Sequence, residues 1–184
     1  MRIIVPKIMN DFDKRLPLFF LAGPVLGGGD WQTKMCLELQ SQMRNREFYV
    51  VVPCRWPEGH ELSPFFALGN GQTFESQTAW ERVLLKKAGL GNRGCIIFWL
   101  GCESKTEPRS DGQPYARDTY GELGEWRGRK INNPNVKVVI GGEVDFPGLR
   151  VIKRNYDLAL GIEFPVYSSM TKTVSEAIKL MEKK

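Results

Sequence analysis

Short, continuous apolar runs separated by helix-length segments constrain the fold of this chain more than any other feature. Four such runs occupy residues 16–22 (LPLFFLA), 48–52 (FYVVV), 94–100 (GCIIFWL) and 136–140 (VKVVI). Because they are continuous rather than alternating, they predict strands buried on both faces, as in a parallel sheet covered by helices. Residues 149–152 are a candidate fifth strand, and residues 2–5 are a candidate edge strand.

Helical patterns lie between these runs. Asp30 is a candidate N-cap for a helix whose apolar residues recur every four positions, namely Trp31, Met35, Leu39 and Met43, joined by Cys36. Residues 75–88 predict a second helix with Ala79, Val83 and Leu84 on its inner face. Residues 120–130 predict a third helix. Residues 173–182 predict the last, with Val174, Ala177, Ile178 and Met181 on one face.

The order β-α-β-α-β-α-β-β-α predicts an α/β fold with a doubly wound, mostly parallel, five-stranded sheet and helices on both faces. The 184 residues fit a single domain, 1–184. Within it, residues 1–15 form an N-terminal extension or edge strand and residues 171–184 a C-terminal helix.

Composition narrows the functional classes. The sequence shows no apolar run long enough to span a bilayer and no secretory leader, so we expect a cytoplasmic protein without a membrane partner. Cys36, Cys54, Cys95 and Cys102 form no C-x-x-C pair, which favours reduced thiols. His60 is the only histidine, and this disfavours both a zinc site and a histidine-dependent nucleophile. We expect no metal and no cofactor.

The net charge of +5 is compatible with anionic ligands. The basic residues are scattered, however, and the densest stretch, residues 127–130, suits the C-terminal end of a helix. This distribution of charge argues against nucleic-acid binding.

A glycine-rich turn follows the first long strand at residues 23–29 and leads into Asp30. Glycines let the backbone approach a ligand closely, and free N–H groups at a helix start favour anions, so a 5′-phosphate or sugar hydroxyls would fit. The spacing matches neither a Walker A loop nor G-x-G-x-x-G. A purely structural turn remains an equal alternative.

Residues 118–126 (DTYGELGEW) contain the start of the predicted third helix. Thr119-x-x-Glu122 has the spacing of a capping box, which is the simpler interpretation. The functional alternative is a carboxylate kept ionised by the helix N-terminus and able to attack the anomeric carbon of a sugar. Two long connections flank these features: residues 54–73 are predicted to be a binding loop, and residues 101–115 a mobile one.

Four motifs in order resemble the nucleoside 2-deoxyribosyltransferase superfamily, which also contains nucleotide N-glycosidases. They are Phe20-Leu21-Ala22-Gly23-Pro24, Trp80-Glu81, Ile97-Phe98-Trp99 and Thr119-x-x-Glu122-Leu123-Gly124. The likeness spans residues 16–142. It implies a flavodoxin-like fold and cleavage of the N-glycosidic bond of a (deoxy)nucleoside or its 5′-monophosphate, with Glu122 as the nucleophile.

The resemblance also implies roles for other residues. The turn would hold the sugar or its 5′-phosphate through Gly23, Pro24, Gly27, Gly28, Gly29 and Asp30. Glu81 would contact the base, and Asp118 would assist the nucleophile. Thr119 is a further substrate-binding candidate. Trp80 is the favoured tryptophan for stacking on the base, ahead of tryptophans 56, 99 and 126. The resemblance also implies a homo-oligomer.

Sequence leaves two questions open. Transfer of the sugar to a second base and transfer to water are equally compatible with these motifs. A non-catalytic nucleotide-binding or regulatory domain, in which Glu122 is only a cap, is the alternative function.

Overall fold

A computed structural model describes residues 1–6, 13–54, 56–57, 59–67 and 74–183. Its strands are β1 (Arg2–Ile4), β2 (Leu18–Ala22), β3 (Tyr49–Val51), β4 (Gly94–Leu100), β5 (Val138–Gly142) and β6 (Val166–Tyr167). Its α-helices are α1 (Trp31–Met43), α2 (Gln77–Leu90), α3 (Arg117–Asn132), α4 (Leu149–Leu160) and α5 (Met170–Glu182), with a 3-10 turn at Ser63–Phe65.

The strands form one sheet in the order β1-β3-β2-β4-β5-β6, with every pairing parallel. The α/β, doubly wound, flavodoxin-like fold is thus confirmed, and so is the edge strand at the N-terminus. The sheet has six strands rather than five. In the described residues, no helix has the length and apolar character that crossing a membrane requires.

Two strand predictions need correction. Residues 149–152 are not a strand but the first turn of α4, whose buried residues Ile152 and Tyr156 lie four apart, the spacing of a helix face. The outermost strand is instead β6, which has only two residues and is too short to give a sequence pattern. In addition, β5 runs through Gly141 and Gly142, two residues beyond the apolar run at residues 136–140.

Two apolar clusters cover the two faces of the sheet. Along β2, Phe20 and Ala22 face the cluster with α2, α3 and α4, whereas Phe19 and Leu21 face the cluster with α1 and α5. This explains why the strand runs are continuously apolar. The predicted inner stripes of α1 and α5 are confirmed, since Met35, Leu39, Val174, Ala177 and Met181 are buried.

The predicted inner face of α2 is wrong in part. Ala79 is exposed and Val83 only half-buried, while the buried face carries Trp80, Leu84, Leu85 and Ala88. Trp80 is completely buried and packs against Phe20, with ring centroids 6.5 Å apart. With Trp80 on the buried face of the helix, Ala79 points away from the sheet.

The strand order places a switch point between β2 and β4. From β2 the chain passes outward to β3, and later returns to the other side of β2 as β4. Connections that leave in opposite directions open a crevice outside the carboxyl ends of these strands. The glycine-rich turn and the loop before α3 both start there.

Candidate functional site

A cavity of about 770 Å³ occupies this crevice. The carboxyl ends of β2 and β3, the loop after β4 and the first turns of α1, α2 and α3 contribute to it. Among the predicted site residues, the following line it: Gly23, Pro24, Gly27, Gly29, Asp30, Glu81, Asp118, Thr119 and Glu122. The topology therefore brings together residues as far apart in sequence as Gly23 and Glu122.

One side of the cavity, residues 23–32, is called here the glycine-turn wall. Two of its glycines are required by close packing. A Cβ on Gly23 would lie 2.3 Å from the backbone oxygen of Trp99, and one on Gly28 would lie 2.2 Å from that of Pro24. Gly28 does not line the cavity, and its role is the close packing within the turn. The turn is thus structural and cavity-lining at once.

Asp30 caps α1, as predicted. Its Oδ1 accepts hydrogen bonds from the Thr33 backbone N–H at 3.4 Å and from Thr33 Oγ1 at 2.6 Å. One turn into the helix, Gln32 also lines the cavity, yet it is only 2 % exposed. Its side-chain Nε2 has no hydrogen-bond partner among the described residues. A buried amide without a partner is uncommon and costs folding free energy.

The long connection after β3 contributes an aromatic stack. Trp56 stacks on His60 with centroids 4.6 Å apart and on Phe66 at 5.9 Å, and Trp56 and His60 line the cavity. The Leu62 N–H donates to His60 Nδ1 at 3.2 Å, so the proton of the neutral ring lies on Nε2, which points to Thr33 Oγ1 at 3.4 Å. Positions 55, 58 and 68–73 of this connection lie outside the described residues.

The opposite side, formed by Glu81, Asp118 and Glu122, is called here the carboxylate wall. Gln77 fixes Glu81, because its Nε2 donates both to Glu81 Oε1 at 2.8 Å and to the Pro53 carbonyl at 3.0 Å. Burial raises the pKa of Glu81, and the negative charge of Asp118 raises it further against the effect of Gln77. Asp118 is exposed and pairs with Arg117 at 3.1 Å.

Glu122 has the most perturbed acid group of this wall. Burial, followed by the charges of Glu81 and Asp118, raises its pKa to about 8. The expectation that a helix N-terminus keeps this carboxylate ionised is therefore wrong. Since α3 begins at Arg117, Glu122 lies in the second turn, where the helix dipole has little effect and burial dominates.

The capping-box interpretation of Thr119 and Glu122 is also wrong. The N-cap of α3 is Ala116, in the left-handed region at φ 57°, and no side chain caps the helix. Thr119, Leu123 and Trp126 form its buried stripe, so the helix has to start early enough to include Thr119. Thr119 lines the cavity at 4 % exposure, as a wall residue rather than a cap.

The predicted tryptophans do not share one environment. Trp80, the favoured stacking candidate, is fully buried in the core and does not line the cavity, because its ring packs under β2. Trp99 and Trp126 are buried as well. Trp56 is the tryptophan that borders the cavity.

The loop after β4 closes over the glycine turn. Ser104 N–H donates to the Gly27 carbonyl at 2.7 Å, and the Tyr115 hydroxyl donates to the Gly101 carbonyl at 2.7 Å. Arg109, also on this loop, lines the cavity with only 6 % of its side chain exposed. Its guanidinium pairs with both oxygens of Asp111, at 2.6 and 2.8 Å. One hydrogen bond thus joins this loop to the glycine turn, and its mobility stays a prediction.

The charge lining the cavity is strongly negative. Its described lining residues include five carboxylates, at Asp30, Glu81, Glu107, Asp118 and Glu122, whereas Arg109 is the one lysine or arginine among them. Because Arg109 is already engaged by Asp111, it offers little positive charge to a ligand. The cavity is therefore negatively charged although the whole chain carries a net charge of +5.

Comparison with known protein families finds no match to this chain, and comparison with curated proteins finds none either. The site must consequently be interpreted from its own chemistry. Glu81 and Glu122 form a pair of carboxyl groups with raised pKa values in one cavity. Such a pair suits acid–base and nucleophilic chemistry on a neutral or cationic centre. Sequence reasoning did not find Gln32 or Arg109, since neither belongs to a periodic stripe or a motif.

Proposed function

We propose that this chain cleaves the N-glycosidic bond of a (deoxy)nucleoside, with Glu122 as the nucleophile. The observation that supports this most is the carboxylate wall, in which Glu122 and Glu81 line one cavity and their charges interact. Two interacting carboxyl groups that share a proton provide an acid and a base in one site. The sequence motifs around Glu81 and Glu122 support the same reaction.

In the proposed mechanism, ionised Glu122 attacks C1′ of the sugar while the C1′–N bond to the base breaks. The two interacting carboxyl groups share one proton, and in the reactive form this proton lies on Glu81, which donates it to the leaving base while Glu122 is ionised. The negative wall stabilises the positive charge that develops on the sugar ring. A second base or water then attacks C1′ of the glycosyl-enzyme ester, which releases Glu122 and retains the configuration at C1′.

The charge of the cavity favours an uncharged nucleoside over a 5′-monophosphate. A phosphate group at the start of α1 would lie beside the Asp30 carboxylate, which already accepts two hydrogen bonds there. It would find Arg109 engaged by Asp111. The stacked Trp56 borders the same cavity and is suited to contact a flat base.

The direct test is incubation with ribo- and deoxyribonucleosides and their monophosphates, followed by chromatography for free base. A second base in the mixture separates transfer from hydrolysis. We expect base release that Glu122→Ala abolishes with the fold intact, and that the matched control Glu163→Ala retains, since Glu163 is 87 % exposed and outside the cavity. Ligand binding without base release would instead favour the regulatory, non-catalytic alternative, and near-normal release by Glu122→Ala would exclude Glu122 as nucleophile.

A further inference from the structure

Gln77 is a polar side chain of the cavity to which the proposed mechanism gives no role. It is the first residue of α2 and lines the cavity about one helical turn before Glu81. Its Nε2 donates to Glu81 Oε1 at 2.8 Å and to the Pro53 carbonyl at 3.0 Å. Gln77 therefore joins the proposed acid to the backbone just after β3.

The Pro53 carbonyl decides which way the Gln77 amide faces. A carbonyl oxygen only accepts hydrogen bonds, so the amide must turn its Nε2 rather than its oxygen toward Pro53. The same Nε2 has a second N–H, and this one reaches Glu81 Oε1. Glu81 thus meets a donor at Oε1 in either of its protonation states.

This donor determines which oxygen of Glu81 carries the proton. The carbonyl oxygen of a protonated carboxyl accepts better than its hydroxyl oxygen, so the bond from Gln77 keeps Oε1 as the carbonyl and leaves the proton on Oε2. The charged groups of α3 that act on Glu81 are the carboxylates of Asp118 and Glu122, which donate nothing when ionised. Among the described residues, Gln77 is therefore the donor that orients this carboxyl.

We propose that Gln77 is a positioning residue for the reaction, which fixes the acid proton of Glu81 on Oε2. That this proton goes to a leaving base rests on the proposed function. The Oε2 hydrogen passes to an acceptor atom of the base as the C1′–N bond breaks, and the electrons of that bond pass into the base. Glu81 is left as a carboxylate whose Oε1 still accepts from Gln77.

The same hydrogen bond also strengthens the acid. Burial raises the pKa of Glu81, the bond from Gln77 lowers it, and the negative charge of Asp118 raises it again. The bond lowers the pKa because a hydrogen bond to a carboxylate is stronger than one to a neutral carboxyl. Loss of Gln77 should therefore leave Glu81 a weaker acid whose proton is no longer confined to one oxygen.

Two kinds of leaving base separate a positioning role from a general structural one. Guanosine and uridine release bases that take up a proton, whereas the bases of 7-methylguanosine and 5-nitrouridine leave without one, as a neutral molecule and as a stabilised anion. Gln77→Met should slow base release at least about tenfold for the first pair and less than about twofold for the second. In protein carrying Glu81→Gln, which has no acid proton to place, Gln77→Met should have no further effect.

The chain offers a matched control in Gln42 of α1. Its Nε2 donates to Glu38 Oε1 at 2.7 Å and to the Thr171 carbonyl at 2.9 Å, outside the cavity. Gln42→Met and Gln77→Met thus remove the same two kinds of hydrogen bond, and Gln42→Met should leave base release unchanged. Gln77→Asn, whose amide is one methylene too short to reach both acceptors, covers the case in which Gln77→Met does not fold.

The pKa of Glu81 gives a readout that needs no substrate, and carbon NMR of protein with isotope-labelled glutamate carboxyls measures it. Gln77→Met should raise this pKa and move the alkaline fall of kcat/KM to higher pH, because the ionised carboxylate has lost a donor. Gln42→Met should change neither quantity.

The outcomes separate this proposal from the proposed function. A raised pKa of Glu81, with slower release only of bases that need a proton, supports both. Equal slowing for all four nucleosides, or a pKa of Glu81 that Gln77→Met leaves unchanged, overturns the positioning role alone. A raised pKa of Glu81 in a protein that releases base from no nucleoside overturns the proposed function and supports the hold of Gln77 on Glu81.

Discussion

The two walls of the cavity are built in opposite ways. The glycine-turn wall is fixed by close backbone packing at Gly23 and Gly28 and by a helix that Asp30 caps. The carboxylate wall combines Glu81 of α2 with Asp118 and Glu122 of α3, a helix that starts at a left-handed Ala116 without any side-chain cap. The pKa values of Glu81 and Glu122 are raised. The difference indicates a division of tasks, in which the first wall positions the ligand and the second reacts with it.

Charge follows the same division. On the first wall, the Asp30 carboxylate is held by two hydrogen bonds from Thr33. On the second, burial and neighbouring carboxylates disfavour the ionised form of Glu122 and no described lysine or arginine pairs with it. A cationic centre that arrives with the ligand would relieve this repulsion, so the second wall is adapted to a positively charged transition state rather than to the empty site.

Among the variants that test this comparison of the two walls, we expect the largest loss of base release from Glu81→Gln. Glu81→Gln removes both the proposed acid and a charge that raises the pKa of Glu122. Base release should fall about 10²- to 10³-fold, and the midpoint of the remaining pH–rate profile should move below that of the wild type. Glu75→Gln, at an exposed position just before α2, is the control and should leave both quantities unchanged.

Because Glu122 has a raised pKa, activity and stability should change in opposite directions as the pH rises. With a folded-state pKa of about 8 against an ordinary 4.5, the carboxyl stays protonated in the folded chain while the unfolded chain ionises. Stability should thus fall as pH rises from about 4.5 to 8, whereas kcat/KM for base release should rise as Glu122 ionises and fall again once Glu81 has lost its proton.

Glu122→Gln should remove this pH dependence of stability. At pH 9 it should exceed the wild type by about 2–4 kcal/mol in free energy of unfolding, with little difference at pH 4. Denaturant unfolding at the two pH values measures this. An equal difference at both would contradict the raised pKa of Glu122.

On the glycine-turn wall, Gly28 and Gly29 offer a matched pair. A Cβ at Gly28 would strike the Pro24 carbonyl, whereas Gly29 has open space around it and only an unfavourable φ of +65°. We expect Gly28→Ala to cost about 2–3 kcal/mol of stability and Gly29→Ala about 1 kcal/mol. Thermal unfolding measures both, and equal losses would show that the packing of Pro24 against Gly28 does not fix the turn.

The smallest expected effect concerns a 5′-phosphate. Because the described lining carries five carboxylates and one engaged arginine, a nucleoside should have a kcat/KM at least about tenfold above that of its monophosphate. The ratio should narrow with added salt, which screens the repulsion. A preference for the monophosphate at low salt would contradict the proposal that the negative charge of the cavity repels the phosphate.

The sequence predicts the frame of this molecule well. Continuous apolar runs require a parallel sheet, and a parallel sheet carries the turn after β2 and the start of α3 to one edge. That placement, and the cap at Asp30, follow from local patterns. Residues 149–152 were mistaken for a strand because so short an apolar run does not distinguish the two periodicities.

The electrostatics of the site do not follow from local patterns. The position of Glu122 near a helix start predicts a lowered pKa, yet its burial beside Glu81, forty-one residues earlier, raises it. Similarly, Trp80 beside Glu81 looked like a ligand contact and is part of the core. No sequence pattern singles out Gln32, which the structure distinguishes as a buried amide without a hydrogen-bond partner among the described residues.

The central claim is that Glu122 forms a covalent bond with the sugar. Incubation with a 2′-deoxy-2′-fluoroarabinonucleoside, whose fluorine slows breakdown of a glycosyl-enzyme, should trap that ester. Mass spectrometry of the intact protein and its peptides should then show one fluorosugar, without the base, on the peptide at Glu122. Base release with no adduct, or an adduct on another residue, would contradict the account.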